Sequence, residues 1–164
     1  MKILNEAQIK QKIKRLAYEI LENNYEEKEL IFLGINNNGL YFAKLLKSAL
    51  QRITDIPLKV IGLKLSPAAP LDHPITIEAP AESLNDKVLL IVDDVANTGR
   101  TIFYAFKPLL TMLPKKVEVA VLVDRKHKSF PVKVDYVGLS LATTLMEDID
   151  VRLREVDDME VYLN

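Results

Sequence analysis

Apolar positions recur at helical spacing from the start of the chain: Ile9, Ile13, Leu16, Ala17, Ile20 and Leu21 share one face, which predicts an amphipathic helix. Asn5, with Gln8 three residues on, has the pattern of a capping box that would start it. The stretch "ELIFLGI" (29–35) is continuously apolar, short and bounded by Gly34, and so reads as a buried strand. Helical spacing returns in "GLYFAKLLKSALQRI" (39–53). The alternation continues with strands at "LKVIGLKL" (58–65) and "KVLLIVDD" (87–94), then a helix from 101 to about 107, where Pro108 limits it. Strands follow at "KVEVAVLVD" (116–124) and "VKVDYVGLSL" (132–141), and "VRLREV" and "MEVYL" suggest short closing strands. Strands alternating with helices predict an α/β fold, a mostly parallel sheet flanked by helices, in one domain over 1–164.

Between 62 and 86 the pattern lapses into "GLKLSPAAPLDHPITIEAPAESLND", which holds four of the eight prolines and reads as a surface loop or irregular hairpin. The composition changes the picture mainly by exclusion. Hydrophobic residues make up 49% and the formal net charge is -1, so the chain is globular and has no general pull toward nucleic acid or an anionic membrane. There is no cysteine, which removes disulfides, thiolate zinc sites and cysteine nucleophiles. His73 and His127 have no ligand-spaced partner, which argues against zinc. No apolar run has the length of a signal peptide core or a membrane span, and a cytoplasmic location is the expectation.

The densest chemistry lies in "VDDVANTGRT" (92–101), directly after the strand at 87–94. In open parallel sheets ligands bind beyond the carboxyl ends of strands. Asp93 and Asp94 offer carboxylates to sugar hydroxyls or to a magnesium-bound ligand. Ala96, Asn97, Thr98, Gly99, Arg100 and Thr101 then form a turn whose glycine lets backbone amides point inward beside two hydroxyls, a combination suited to a phosphate. The plainer alternative is a helix cap, a solvated acid and an ordinary Thr-Gly turn.

This stretch resembles the phosphoribosyl diphosphate motif of type I phosphoribosyltransferases. "AQIKQKIKRLAYEILENN", "LIFLGINNNGLYFAKLL", "VAVLVDRKHKSFPVKVDYVG" and "VRLREVDDMEVYL" resemble successive segments of the pyrimidine-operon attenuation regulator family, which also has uracil phosphoribosyltransferase activity. Hypoxanthine phosphoribosyltransferases are looser relatives. The resemblance spans nearly the whole chain apart from 63–86 and implies a type I phosphoribosyltransferase-like fold with a small C-terminal hood. It implies transfer of ribose 5-phosphate from phosphoribosyl diphosphate to a nucleobase, uracil first, with Mg2+ held by Asp93 and Asp94 indirectly through the ligand. A nucleoside monophosphate would be the product, and the chain would form a homo-oligomer, dimer or tetramer. Asn97 stands where purine-specific relatives carry an aspartate, which weakens a purine reading. Two alternatives stay open: a purine phosphoribosyltransferase, and a catalytically weak nucleotide-sensing regulator of the same fold.

"GINNNG" occupies the place of the family's diphosphate loop, so Asn36, Asn37, Asn38 and Gly39 are its candidates here. The family loop carries a threonine and a basic residue; this one offers amide donors and no cation. "KLSPAAPLDHPITIEAP" replaces a longer flexible lid and lacks its tyrosine, arginine and acidic stretch. Lys133, Tyr136 and Val137 are the candidate base pocket, Lys133 by likeness to a basic residue that approaches the base in purine relatives; a solvent-facing lysine and a core tyrosine are the alternatives. "DRKHK" (124–128) is thin support for RNA and reads first as a solvated turn.

Overall fold

The computed structural model describes all 164 residues. Strand β1 (Lys2–Leu4) precedes helix α1 (Glu6–Asn24), and β2 (Leu30–Ile35) runs directly into α2 (Asn36–Gln51). Strands β3 (Leu58–Lys64) and β4 (Thr76–Ile77) follow, then a 3-10 turn over Ala81–Leu84 and β5 (Val88–Ala96). A short α3 (Arg100–Ala105) continues into a 3-10 segment (Lys107–Thr111), and the chain finishes through β6 (Lys116–Arg125), β7 (Tyr136–Leu141), β8 (Ile149–Arg152) and β9 (Glu160–Leu163).

Six strands form one sheet in the order β4-β3-β2-β5-β6-β7, with the β2, β3, β5, β6 and β7 pairs all parallel and β4 antiparallel at the edge. The fold is thus the α/β arrangement expected from alternating strands and helices. Successive side chains of a strand point to opposite faces. Phe32, Leu90 and Leu122 accordingly join α1 and α2 in one core, while Leu33, Ile91 and Val121 join Ile102, Ala105 and Leu109 in a second core across the sheet. A smaller antiparallel sheet, β1-β9-β8, closes over the first core through Leu4, Ile149, Leu153 and Val161.

Local signals explain the element ends. Asn5 accepts from the Gln8 amide and the Gln8 side chain accepts from the Asn5 amide, the reciprocal cap expected from sequence. Helix α3 stops at Ala105 and gives way to the 3-10 segment around Pro108. Three expectations change. Lys2–Leu4 is a strand because its amides find β9, a partner more than 150 residues away that no local pattern announces. Asn36 to Asn38, read as a loop, are the first turn of α2. Residues 132–135 lie outside β7, where Asp135 instead bridges to β6: its amide donates to the Val119 carbonyl at 2.9 Å and its carboxylate accepts from the Val119 amide at 2.8 Å.

Strand order sets the place of the site. The connection after β2 crosses the α1/α2 face toward β3, and the one after β5 crosses the opposite face toward β6. Chains leaving the carboxyl ends of β2 and β5 therefore diverge, and that divergence opens a crevice.

Candidate active site

The crevice is a cleft of ≈ 460 Å³ whose walls include Asn36, Asn37 and Asn38 after β2, Asp93, Asp94, Val95, Asn97 and Thr101 from β5 and its turn, Ile149 from β8, and Arg154 from the loop between β8 and β9. Beside it, Val95 to Ile102 enclose a cup of ≈ 50 Å³. One turn thus contributes to both depressions, its acids to the cleft and its glycine and hydroxyls to the cup.

The cup is held by its own backbone. Gly99 sits at φ +86, a left-handed conformation that side-chain-bearing residues rarely adopt, and a Cβ there would meet Val132 Cγ2 at 2.5 Å. The Arg100 amide donates to Thr98 Oγ1 at 3.4 Å, and the Thr98 carbonyl accepts from the Ser129 and Phe130 amides at 3.0 and 3.1 Å. Those two bonds tie the turn to the segment after β6. Thr98 and Arg100 are exposed and Thr101 is half-buried.

The two acids differ in environment. Asp93 is buried, 8% exposed, and its Oδ1 accepts from the Asp94 amide at 2.9 Å. Burial pushes its carboxyl well above the usual aspartate range, and the neighbouring Asp94 charge adds to the shift. Asp94 is half-buried; its Oδ1 accepts from the Val95 amide at 2.9 Å and its Oδ2 from Asn38 Nδ2 at 3.2 Å. No group of three or more His, Asp or Glu side chains converges anywhere in the chain. Magnesium is commonly held by one or two carboxylates together with substrate phosphates, so this acid pair fits an ion that arrives with a phosphorylated ligand rather than a resident one.

The three asparagines have separate tasks. Asn36, at φ +52, accepts the Leu65 amide at 3.1 Å and so ties α2 to the end of β3. Asn37 is exposed at the cleft wall. Asn38 links Asp94 to Arg154, whose Nε donates to its Oδ1 at 3.2 Å. Gly39 faces the sheet, where a Cβ would meet the Val92 carbonyl at 2.5 Å, so its lack of a side chain lets α2 pack closely on β5.

The three candidate base-pocket residues lie apart from the cleft. The Lys133 side chain is 87% exposed and within 3.5 Å of Asp135, beside the apolar surface of Phe106 and Leu109 and away from the cleft. Tyr136 lies in the core on the α1 face, where its hydroxyl donates to Glu118 at 2.7 Å and accepts from Asn24 at 3.3 Å; burial raises its pKa, with Glu118 adding to the rise. The Val137 carbonyl, the backbone contact expected for a base, accepts from Arg15 at 2.7 Å. These three positions open or precede β7, whereas the cleft lies at the carboxyl ends of the strands. In the 124–128 cluster, Lys128 bonds Asp124 and the Arg125 carbonyl, and Arg125 donates to the Glu147 carbonyl; these cations are engaged within the chain.

Arg154 is the charged cleft residue that sequence reasoning missed, beside the apolar Ile35, Pro67, Val95 and Ile149. "VRLREV" alternates, so Arg152 and Arg154 share the polar side, but nothing local tells that one of them reaches a cleft more than 50 residues upstream. Arg152 is engaged by Asp150 at 2.7 Å and lies over the Tyr162 ring at 4.6 Å, and only Arg154 turns to the cleft.

Comparison with known proteins gives a consistent result. The family model "Phosphoribosyl transferase domain" matches residues 2–154. The chain is 33% identical to "Bifunctional protein PyrR" of Macrococcus caseolyticus, over 98% of this chain and 97% of that protein. It is 34% identical to the protein of the same name from Bacillus pumilus, over 97% and 93%. Among solved structures, the hypoxanthine phosphoribosyltransferase of Trypanosoma cruzi superposes with a TM-score of 0.77 at 20% identity, covering 98% of this chain and 94% of that one. A hypoxanthine-guanine phosphoribosyltransferase of Bacillus anthracis gives 0.70 at 18%, covering 86% and 82%. At these identities the two structures speak for the fold alone.

Proposed function

Because the chain belongs to the phosphoribosyl transferase family, we propose that it transfers ribose 5-phosphate from phosphoribosyl diphosphate to a nucleobase, with uracil the first candidate. The observation that carries this reading is the pair of joined depressions at the end of β5, a small amide- and hydroxyl-lined cup beside a larger acidic cleft. A phosphate in the cup leaves the attached ribose against Asp93 and Asp94, and the diphosphate then extends toward the start of α2. Identity of 33–34% to proteins named PyrR, and Asn97 where purine relatives carry an acid, favour a pyrimidine.

In the reaction the bond from C1′ to the diphosphate breaks with its electron pair leaving on the diphosphate oxygen. The base nitrogen forms the new bond to C1′ and gives up its proton to solvent. Anchoring the 5′-phosphate on Thr98, Gly99 and Thr101 fixes C1′ against the base, which removes much of the entropic barrier. Asp94 lies where positive charge develops on the ribosyl ring and stabilises it. Asp93, buried and held toward its neutral form, donates or accepts with a ribose hydroxyl. Asp93 and Asp94 would hold, indirectly through the ligand, a magnesium ion carried in with the diphosphate, and that ion would neutralise part of the leaving group's charge.

The sensor reading keeps a specific support: Pro67 is the one residue of the shortened 65–86 segment that lines the cleft, so water exclusion by that segment is slight. One assay separates the two. The protein is incubated with magnesium, phosphoribosyl diphosphate and, in turn, uracil, hypoxanthine, guanine or xanthine, and nucleotide formation is followed. Uridine monophosphate is the expected product. Stabilisation by nucleotides without turnover of any base leaves the sensor, and neither binding nor turnover rejects both.

A further inference from the structure

A groove of ≈ 680 Å³ runs between α1 and α2 and shares no lining residue with the cleft. Its floor is apolar: Ile13 from α1, Leu45 and Ala49 one turn apart on α2, Ile53 beyond that helix, and Met159 just ahead of β9. Its rim is cationic. Lys10 and Lys14 stand one turn apart on α1 and so share a side, and Arg52 caps α2. No acid lines the groove. Lys10 lies 3.8 Å from Glu6, while Lys14 and Arg52 have no carboxylate within 4.0 Å. In a chain of formal net charge -1, this is a local excess of positive charge over an apolar surface, suited to an occupant that is acidic and partly apolar.

The chain carries such an occupant itself. Glu155, Val156, Asp157 and Asp158, in the turn between β8 and β9, are all exposed, Val156 by 41% although it is apolar. None of the three acids has a cation within 4.0 Å. Leu153 and Met159 are buried and anchor the turn at both ends, and Glu155 at φ +55 bends the chain between them. Met159 also joins the end of the turn to the floor of the groove, so turn and groove lie side by side on one surface. A surface that holds a cation-rimmed apolar groove beside an acidic turn with an apolar tip is complementary to a second copy of itself. A two-fold axis between turn and groove satisfies both at once.

We propose that two copies of the chain pair through this face, the 155–158 turn of each lying in the α1/α2 groove of the other. Val156 covers the apolar floor, and Asp157 and Asp158 face Arg52, Lys10 and Lys14. The apolar contact supplies affinity, and the charges set register and orientation. Because the pairing is two-fold, each contact forms twice in one interface. The turn follows directly on Arg154 of the cleft wall, so the interface lies beside the cleft and takes none of its lining residues. The inference is independent of which base, if any, the chain turns over.

Sedimentation velocity over a concentration series reads the pairing. The native protein should show an association step that weakens as salt rises. Arg52→Glu and Asp157→Lys each set like charges against one another in both contacts, and each should raise the Kd of that step about 10-fold or more. Mixed in equal amounts, the two variants should recover it, because the mixed pair has one native contact and one in which both charges are exchanged. Lys14→Glu, mixed with Asp157→Lys, repeats the test from α1 should Arg52→Glu fold poorly. A native protein with no association step overturns the proposal and leaves the groove to a different acidic molecule. Variants that associate as the native protein does overturn it by placing the pairing on another face, and so does a mixture that stays apart as its components do.

Discussion

At the scale of single residues, Asp93 is the costliest feature of the site. An aspartate kept well above its usual pKa by burial, with Asp94 beside it, favours the native state only while protonated. Its contribution is fully present below the unfolded aspartate value, about 3.9, and is lost as pH rises toward the raised native value. Asp93→Asn keeps the acceptor for the Asp94 amide and removes the titration. Urea unfolding should find the variant and native protein equally stable near pH 3, and the variant more stable by about 1–3 kcal/mol at pH 7, the range for an unsatisfied buried polar group. Ligand affinity should fall in the same variant, since stability at this position is given up for function. Gly99→Ala should lower stability by about 1–3 kcal/mol, because left-handed backbone and a contact at 2.5 Å oppose any Cβ. Nucleotide binding should be lost along with it.

At the scale of elements, the first turns decide what each segment does. The capping box of α1 was legible because its two bonds are local, three residues apart; Asn5→Ala should cost about 1 kcal/mol by thermal unfolding. The turn after β5 was legible for the same reason, since acids, glycine and hydroxyls stand in one run. The base side was not. Lys133, Tyr136 and Val137 read as one strand facing a ligand, yet alternation sends Tyr136 to the α1 core, and Lys133 falls before the strand begins. Lys133→Ala should therefore leave KM for the base and kcat unchanged in the uracil assay, and a large rise in KM would put the base at Lys133. The turn at Asn36 to Asn38 was read in sequence as lacking a cation; that remains true of the turn itself and is changed for the cleft by Arg154.

At the scale of the whole molecule, two sheets and two cores converge on one crevice, so ligand binding is coupled to global stability. A nucleoside monophosphate that binds only the native state should stabilise it by about 2.7 kcal/mol at 100 times its Kd. For a chain of this size that is roughly 5–11 °C in Tm at about 2–4 °C per kcal/mol, readable by calorimetry. No shift with uridine, guanosine or inosine monophosphate would remove the nucleotide site. The sequence by itself determined the alternation of strands and helices, the position of the acidic and hydroxyl-rich turn at a strand's carboxyl end, and the family, because periodicity, caps and turn chemistry are properties of neighbouring residues. Only the tertiary structure decided that Lys2–Leu4 pairs with the last strand, that Gly39 packs against β5, that Asp93 is driven toward neutrality, and that Arg154 meets Asn38 across 116 positions of chain. Those outcomes depend on burial and on contacts between distant segments, which no local run of residues carries.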